Sequence, residues 1–192
     1  MEKNKIGITG QAGFIGNHLY TTLSLREDVE LVNFERSFFE DMDMLSKFVS
    51  ECDTIVHLAA MNRHEDPKVI YNTNLKLVDE LLNACEESKV TPHIIFSSSS
   101  QELKDNLYGQ SKRKGKEKFM AWAKETGGKF SSLTIPNVFG PFGRPNYNSV
   151  VATFCHKVAN NEKPTILNDG EVGLIYINDL VQIFIDTIFG VQ

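Results

Sequence analysis

The stretch KIGITGQAGFIG, Lys5–Gly16, decides how the rest of the chain reads. KIGIT is a short apolar run of the kind that forms a buried strand. Ile15, Leu19 and Leu23 then recur at helical spacing, so a helix follows directly. Gly10, Gly13 and Gly16 occupy the turn between them. A strand, a tight turn and a helix N-terminus together make an anion site, because backbone N–H groups point outward and the helix dipole adds about half a positive charge. Gly10 permits the turn, Gly13 lets a pyrophosphate approach, and Gly16 lets helix and strand pack closely. Glycines can serve a tight turn alone. Their place at the first βα turn favours a dinucleotide site, in which Phe14 and Ile15 take part beside the three glycines.

Outward from this loop, strand-like and helix-like segments alternate. Strands are expected at Val29–Phe34, Thr54–Leu58, His93–Ser97 and Phe130–Ile135. The third is almost continuously apolar, as a strand covered on both faces should be. Leu45, Phe48, Val49 and Cys52 mark one helix face. Longer helices are expected over Pro67–Glu87 and Tyr108–Thr126, the second with Phe119, Met120 and Ala123 inward. The series predicts an α/β fold, a Rossmann-type doubly wound parallel sheet, with residues 1–136 as its dinucleotide-binding core.

After Pro136 the pattern changes. PNVFGPFGRPNYNS reads as a long loop. A helix over Ser149–Asn160, strands at Thr165–Leu167 and Leu174–Ile177, and a last helix from Asp179 complete a small, partial substrate-binding region, 137–192. That last helix, DLVQIFIDTIF, is apolar over most of its circumference. It is expected to pack under the sheet, with a partner or missing C-terminal sequence over its other side.

Bulk properties narrow the class. Hydrophobic residues make up 41% and charged residues 23% of 192, ordinary for a soluble globular domain. A net charge of -5 argues against a nucleic-acid partner. No apolar run reaches the length of a membrane span, and the N-terminal segment lacks a signal-peptide core. The three cysteines and five histidines show no metal-ligand spacing, so no metal is expected. Cys52, Cys85 and Cys155 read as reduced core thiols of a cytoplasmic protein.

The chemistry concentrates in SSSSQELKDNLYGQSK, Ser97–Lys112. Tyr108 and Lys112 stand at i and i+4 at a helix start, so they share a face. A phenol has a pKa of about 10, too high for efficient proton exchange near neutrality, and a contacting ammonium lowers it. A tuned Tyr108 can exchange a proton with a carbinol or ketone oxygen while hydride moves to or from a nicotinamide; such assistance is worth about 10²–10⁴-fold. The cofactor type is set at the end of the second strand. An acidic residue there favours the ribose 2′-OH of NAD, an Arg the 2′-phosphate of NADP. The chain offers Glu35, Arg36 and Ser37; Arg36 with Ser37 tilts the reading toward NADP(H) over NAD(H).

The spacing GxxGxxG, HLAA (His57–Ala60), Asn74 in YNTNLKLVDELL, the serine run, Tyr108-x-x-x-Lys112, PNVFGP (Pro136–Pro141) and YINDL (Tyr176–Leu180) occur together and in order. In this the whole chain resembles the extended short-chain dehydrogenase/reductases, the epimerase/dehydratase family of nucleotide-sugar enzymes. The resemblance implies Ser99 as the group that orients the substrate oxygen, with Tyr108 as acid and Lys112 as its tuner and ribose contact. It also implies cofactor contacts at Leu58, Ala59, Ala60, Asn74 and Pro136, and a substrate contact at Asn137; Arg63, Arg144 and Asn148 are further candidate substrate contacts. Ser99 and Tyr108 are nine positions apart, a connection that can span about 30 Å or fold back on itself.

This serine-to-tyrosine segment is shorter than is usual in the family. The short form resembles one subgroup, bacterial capsule-biosynthesis reductases acting on UDP-linked 4-keto-6-deoxy-N-acetylhexosamines, in which a cupin domain follows. No cupin is present here, so the resemblance implies a chain cut from a longer one or a separate protein. It also implies a homodimer through the helices Pro67–Glu87 and Tyr108–Thr126. The expected activity is an NAD(P)H-dependent reductase of a 4-keto nucleotide sugar. The alternatives are an NAD-dependent epimerase or dehydratase, disfavoured as a dehydratase because Ser100-Gln101 replace an acid pair, and a non-catalytic dinucleotide-binding redox sensor, disfavoured because Tyr108 and Lys112 are both present.

Overall fold

A computed structural model describes residues 3–166 and 170–190. Five strands, β1 (Asn4–Thr9), β2 (Val29–Val32), β3 (Thr54–His57), β4 (His93–Ser99) and β5 (Phe130–Ile135), form one parallel sheet in the order β2-β1-β3-β4-β5. The chain moves outward from β1 to β2 and then returns past β1 to β3. That reversal opens a crevice beyond the C-terminal ends of β1 and β3, where open α/β sheets bind ligands.

Helices α1 (Phe14–Ser24), α2 (Met42–Glu51), α3 (Pro67–Ser88), α4 (Leu107–Thr126), α5 (Val150–Ala159) and α6 (Ile177–Phe189) follow in order. Two short 3-10 turns lie at Arg36–Glu40 and Ser100–Leu103. The two-residue period of the strands sorts the core into two layers. Ile55, Ile94 and Phe96 face α2, α3 and α4, where Leu45, Phe48, Leu81 and Phe119 meet them. Val56 and Ile95 face the other side, against Leu19 and Leu23 of α1. Helix starts are fixed locally. Asp41 accepts from the Met44 N–H at 3.1 Å, Asp66 from Lys68 at 2.8 Å ahead of Pro67, and Asn106 from Gly109 at 2.8 Å. Each such cap is worth about 1 kcal/mol.

The apolar last helix lies against α1 and the sheet. Leu180, Val181, Phe184 and Ile188 of α6 join the second core layer. Its outward side carries the polar Asp179, Gln182 and Asp186 together with Ile183, which is 40% exposed.

Some expectations shift. PNVFG was expected to be loop, yet Asn137–Phe139 forms a strand, β6, that pairs in parallel with β7 (Leu174–Tyr176). Three residues are too few to show a period in sequence. Thr165 and Ile166 are not in a strand, and Leu167 lies outside the described residues. Met120 is 54% exposed rather than inward, because it stands about 100° round the helix from the buried Phe119, and Trp122 takes the inner place. Cys52 and Cys85 are buried, whereas Cys155 is exposed: α5 buries none of its residues among those described.

Phe184→Ala should lower unfolding free energy by about 3–5 kcal/mol, while Ile183→Ala should cost under about 1 kcal/mol. Urea denaturation of the two variants checks the orientation of α6.

Candidate active site

The glycine loop is built as a cradle. Gly10 has φ +80 and lies so close to β3 that a Cβ there would stand 2.9 Å from the Ala59 nitrogen. A Cβ on Gly16 would run into the Gly10 carbonyl, so helix and turn touch backbone to backbone. Thr9 holds the far wall. Its carbonyl accepts from Leu58 at 3.1 Å, and its hydroxyl accepts from Ala59 at 3.3 Å while hydrogen-bonded to His57 Nδ1 at 2.9 Å. Leu58, Ala59 and Ala60 thus line the crevice between β1 and β3. Gln11 Nε2 donates to the Phe34 carbonyl at 2.8 Å, tying the loop to the end of β2, while its buried Oε1 has no partner. No side chain caps α1, so its first-turn N–H groups are left for an anion. Phe14 and Ile15 lie on that first turn. These residues fit a dinucleotide diphosphate. Glu35, Arg36 and Ser37 lie exposed where β2 gives way to a 3-10 turn, and none of them is in an ion pair among the described residues.

The second half of the site lies at the end of β4, where the serines point different ways. Ser97 Oγ donates to the His57 carbonyl at 3.1 Å. Ser98 Oγ donates to the Glu102 carboxylate. Ser99 ends the strand, its hydroxyl accepting from the Gln101 N–H at 3.2 Å and standing near enough to the Tyr108 phenol to favour its ionised form. The 3-10 turn after it lies hard against α4: the Gln101 carbonyl leaves no room for a Cβ on Gly109. Tyr108 is therefore brought back to Ser99. Lys112, one turn further, is buried; its Nζ donates to the Ser97 carbonyl at 2.8 Å and lies 5.9 Å from the centre of the Tyr108 ring.

The sequence pattern of the NAD dependent epimerase/dehydratase family matches residues 6–187. The chain belongs to that family. It is 35% identical over 187 residues to a UDP-2-acetamido-2,6-beta-L-arabino-hexul-4-ose reductase of Pseudomonas aeruginosa, covering 97% of this chain and 50% of that protein. It is 29% identical to a dTDP-4-dehydro-6-deoxyglucose reductase of Escherichia coli, over 95% of this chain and 72% of the other. The crystal structure of the capsular polysaccharide assembling protein CapF from Staphylococcus aureus superposes with a TM-score of 0.80 at 32% identity, over 97% of this chain and 49% of that one. The chain thus spans about half the length of the first and third of these relatives.

Several of the expected contact residues also make hydrogen bonds within the protein. Asn74 spends its amide within the protein. It accepts from Met61 N at 2.7 Å and donates to the Met61 carbonyl at 2.9 Å and to Ser111 Oγ at 3.1 Å. It shapes the segment after β3 and pins α4. Pro136 stands half-buried between β5 and β6. Asn137 Nδ2 donates to the Asn148 carbonyl at 2.6 Å, and its buried Oδ1 has no partner. Asn148 contributes backbone there. Arg63 and Arg144 come from separate loops, and both lie over the ring of Tyr147.

Electrostatics correct one expectation. Lys112 was expected to lower the Tyr108 pKa; burial instead raises the phenol, and only the Ser99 hydroxyl opposes it. The Lys112 ammonium is itself buried, and it is directed at the Ser97 carbonyl. Desolvation pulls its own pKa down to about 8. Beneath it His57, wholly buried and stacked on Phe96, is held neutral by burial first and Lys112 second, with a pKa near 3.

Sequence reasoning missed Glu102. Burial raises its pKa, but hydrogen bonds from Ser98, Lys116 and Thr134 together with the Lys116 charge lower it on balance. The carboxylate thereby joins β4, β5 and α4 beside the 3-10 turn. The segment Arg113–Lys118 carries a run of basic residues along α4. Three of its lysines are in ion pairs: Lys114 with Glu117, Lys116 with Glu102 and Lys118 with Asp79. No single-residue signal announces these partners, which lie up to 39 positions away.

Because Lys112 has a folded pKa of about 8 against about 10.4 unfolded, the unfolded chain holds the extra proton between those values. The penalty for burying the charge is therefore full below about pH 8 and is relieved as pH rises through that window. Relative to Lys112→Met, the wild type should gain on the order of 3 kcal/mol between about pH 8 and 10.4. Denaturant titrations across that range measure it; parallel curves would refute the burial of this ammonium.

Proposed function

We propose that the chain is an NAD(P)H-dependent reductase of a UDP-linked 4-keto-6-deoxy-N-acetylhexosamine, acting in surface-polysaccharide precursor synthesis in the cytoplasm. The observation that carries this is the meeting of Ser99, Tyr108 and Lys112 at the end of β4, one strand from a diphosphate cradle. A bound nicotinamide cofactor supplies the hydride. Ser99 and Tyr108 hydroxyls orient the substrate carbonyl oxygen, and Tyr108 delivers its proton there as the alcohol forms. A phenol raised by burial stays protonated near neutrality, which suits a proton donor and hence the reducing direction. Lys112 holds the end of β4 and presents positive charge to the developing oxyanion's surroundings.

The reductase reading is favoured over a dehydratase by Glu102. It is the acid nearest the serines in sequence, and it is occupied by Ser98, Lys116 and Thr134 rather than free for proton transfer. The names of the relatives, two of them keto-sugar reductases, support the same choice. Exposed Arg36 and Ser37 at the end of β2 support NADP(H). The same reading includes a homodimer through α3 and α4 and an additional cupin domain or partner.

The test is NADPH oxidation with the UDP-linked 4-keto sugar. Tyr108→Phe should lower kcat by about 10²–10⁴-fold while leaving NADPH affinity within about twofold. Undiminished turnover in that variant would remove Tyr108 as the acid. NADPH should be preferred to NADH, and Arg36→Ala should erase the preference.

A further inference from the structure

One side chain closes the turn after β4 onto both strands and helix. Glu102 lies in the 3-10 turn Ser100–Leu103, three residues past Ser99, and its side chain is only 13% exposed. One carboxylate oxygen accepts from Ser98 Oγ. The other accepts from Thr134 Oγ1 of β5 at 3.4 Å and pairs with Lys116 Nζ of α4 at 3.3 Å. The Glu102 carbonyl accepts in addition from Arg113 Nη1 at 3.4 Å. Ser98 and Thr134 are register partners across β4 and β5, so their side chains stand on one face of the sheet. Phe96, two residues before Ser98, meets Phe119 of α4 on that same face. Tyr108, Lys112 and Lys116 follow at four-residue spacing along one side of α4. Each meets the end of β4 at its own level. Tyr108 stands beside the Ser99 hydroxyl, Lys112 reaches the Ser97 carbonyl, and Lys116 reaches Ser98 through Glu102.

We propose that Glu102 is a positioning residue for proton transfer: its carboxylate sets where the Ser99 hydroxyl stands relative to the Tyr108 phenol. The assignment rests on the reductase reading given above. Ser99 follows Ser98 directly, so fixing the Ser98 hydroxyl fixes the peptide that carries Ser99. Lys116 stands two turns beyond Tyr108, so fixing its ammonium fixes the same helix face. The carboxylate is the one acceptor common to both. Its charge strengthens each of these hydrogen bonds over what a neutral acceptor gives. Removing it takes the shared acceptor from Ser98, Thr134 and Lys116 at once, and strand end and helix are free to part. Misplacing reacting groups by about 1 Å costs on the order of 10²-fold in rate.

Glu102→Ala should lower kcat for NADPH oxidation with the UDP-linked 4-keto sugar about 10–100-fold, with NADP⁺ affinity unchanged within about twofold. Glu102→Gln keeps an oxygen for Ser98 and gives up the charge facing Lys116, so it should lose less, about 3–10-fold. In a Tyr108→Phe background Glu102→Ala should change kcat by less than about twofold, since a residue that acts through the phenol has nothing left to place. Lys118→Ala is the control on the same helix: it breaks the 2.7 Å pair with Asp79 of α3 and should leave kcat within about twofold. Equal losses with and without the phenol, or full turnover in Glu102→Ala, would overturn the positioning role and leave the reductase reading standing. The Tyr108 titration, taken as the absorbance difference between each protein and its Tyr108→Phe counterpart, needs no turnover. Burial holds the phenol above its ordinary range in the wild type, and Glu102→Ala should bring it down toward that range as water enters between strand and helix. An unmoved titration would overturn the role of Glu102. A shifted titration in a protein whose wild type reduces no keto sugar would keep that role and overturn the reductase reading.

Discussion

A buried ammonium, Lys112 Nζ on the Ser97 carbonyl, fixes how α4 meets the sheet. A charge taken out of water needs a fixed acceptor, and here one backbone carbonyl serves, with the Phe96 ring 4.9 Å away. The carbonyl can be aimed only if the end of β4 is rigid. That rigidity comes from the same residue's hydroxyl on His57, from His57 on Thr9, and from Thr9 on Ala59. One hydrogen-bonded line therefore runs from α4 through three adjacent strands to the wall of the glycine-loop cradle. The proposed acid and the proposed cofactor cradle rest on a single continuous support.

The sheet order gives this line its direction. With β1, β3 and β4 adjacent, residues at their C-terminal ends are neighbours although the sequence separates them by dozens of positions. The core needs no special chemistry to achieve this. Alternating Ile55 and Val56, then Ile94 and Ile95, bury both faces and force the strands into one layer between helices. α6 completes the lower layer, so the final turn of chain supports the strands that carry the first.

Much of this was legible in the sequence. The glycine loop, the five strands and the long helices follow from period and turn chemistry, which act over a few residues. Tyr108 and Lys112 could be put on one face by spacing alone. What escaped was set by contacts at long separation. β6 is too short to show a period and exists because β7 pairs with it. The Asn74 side chain is absorbed by Met61 and Ser111, which no local pattern reveals. The Tyr108 pKa was expected to fall, and it rises, because burial of both phenol and ammonium depends on how tightly α4 is seated. Exposure of Cys155 likewise depends on what α5 lies against rather than on its own apolar pattern.

The clamped turn after β4 carries a consequence for how such a site can vary. Its Gln101 carbonyl is locked under Gly109, and its Glu102 carboxylate is bound to β4, β5 and α4. Between these anchors and the Asn106 cap lie Leu103, Lys104 and Asp105; the Leu103 and Lys104 side chains project into solvent, while the Lys104 N–H donates to the Gln101 carbonyl and the Asp105 carboxylate accepts from Gln110. Residues inserted there would have nowhere to go but outward, over the mouth of the crevice. The scaffold would be blind to the insertion while the opening above it narrowed. Length in this short segment can thus change the surface beside Tyr108 without disturbing the anchors that seat α4.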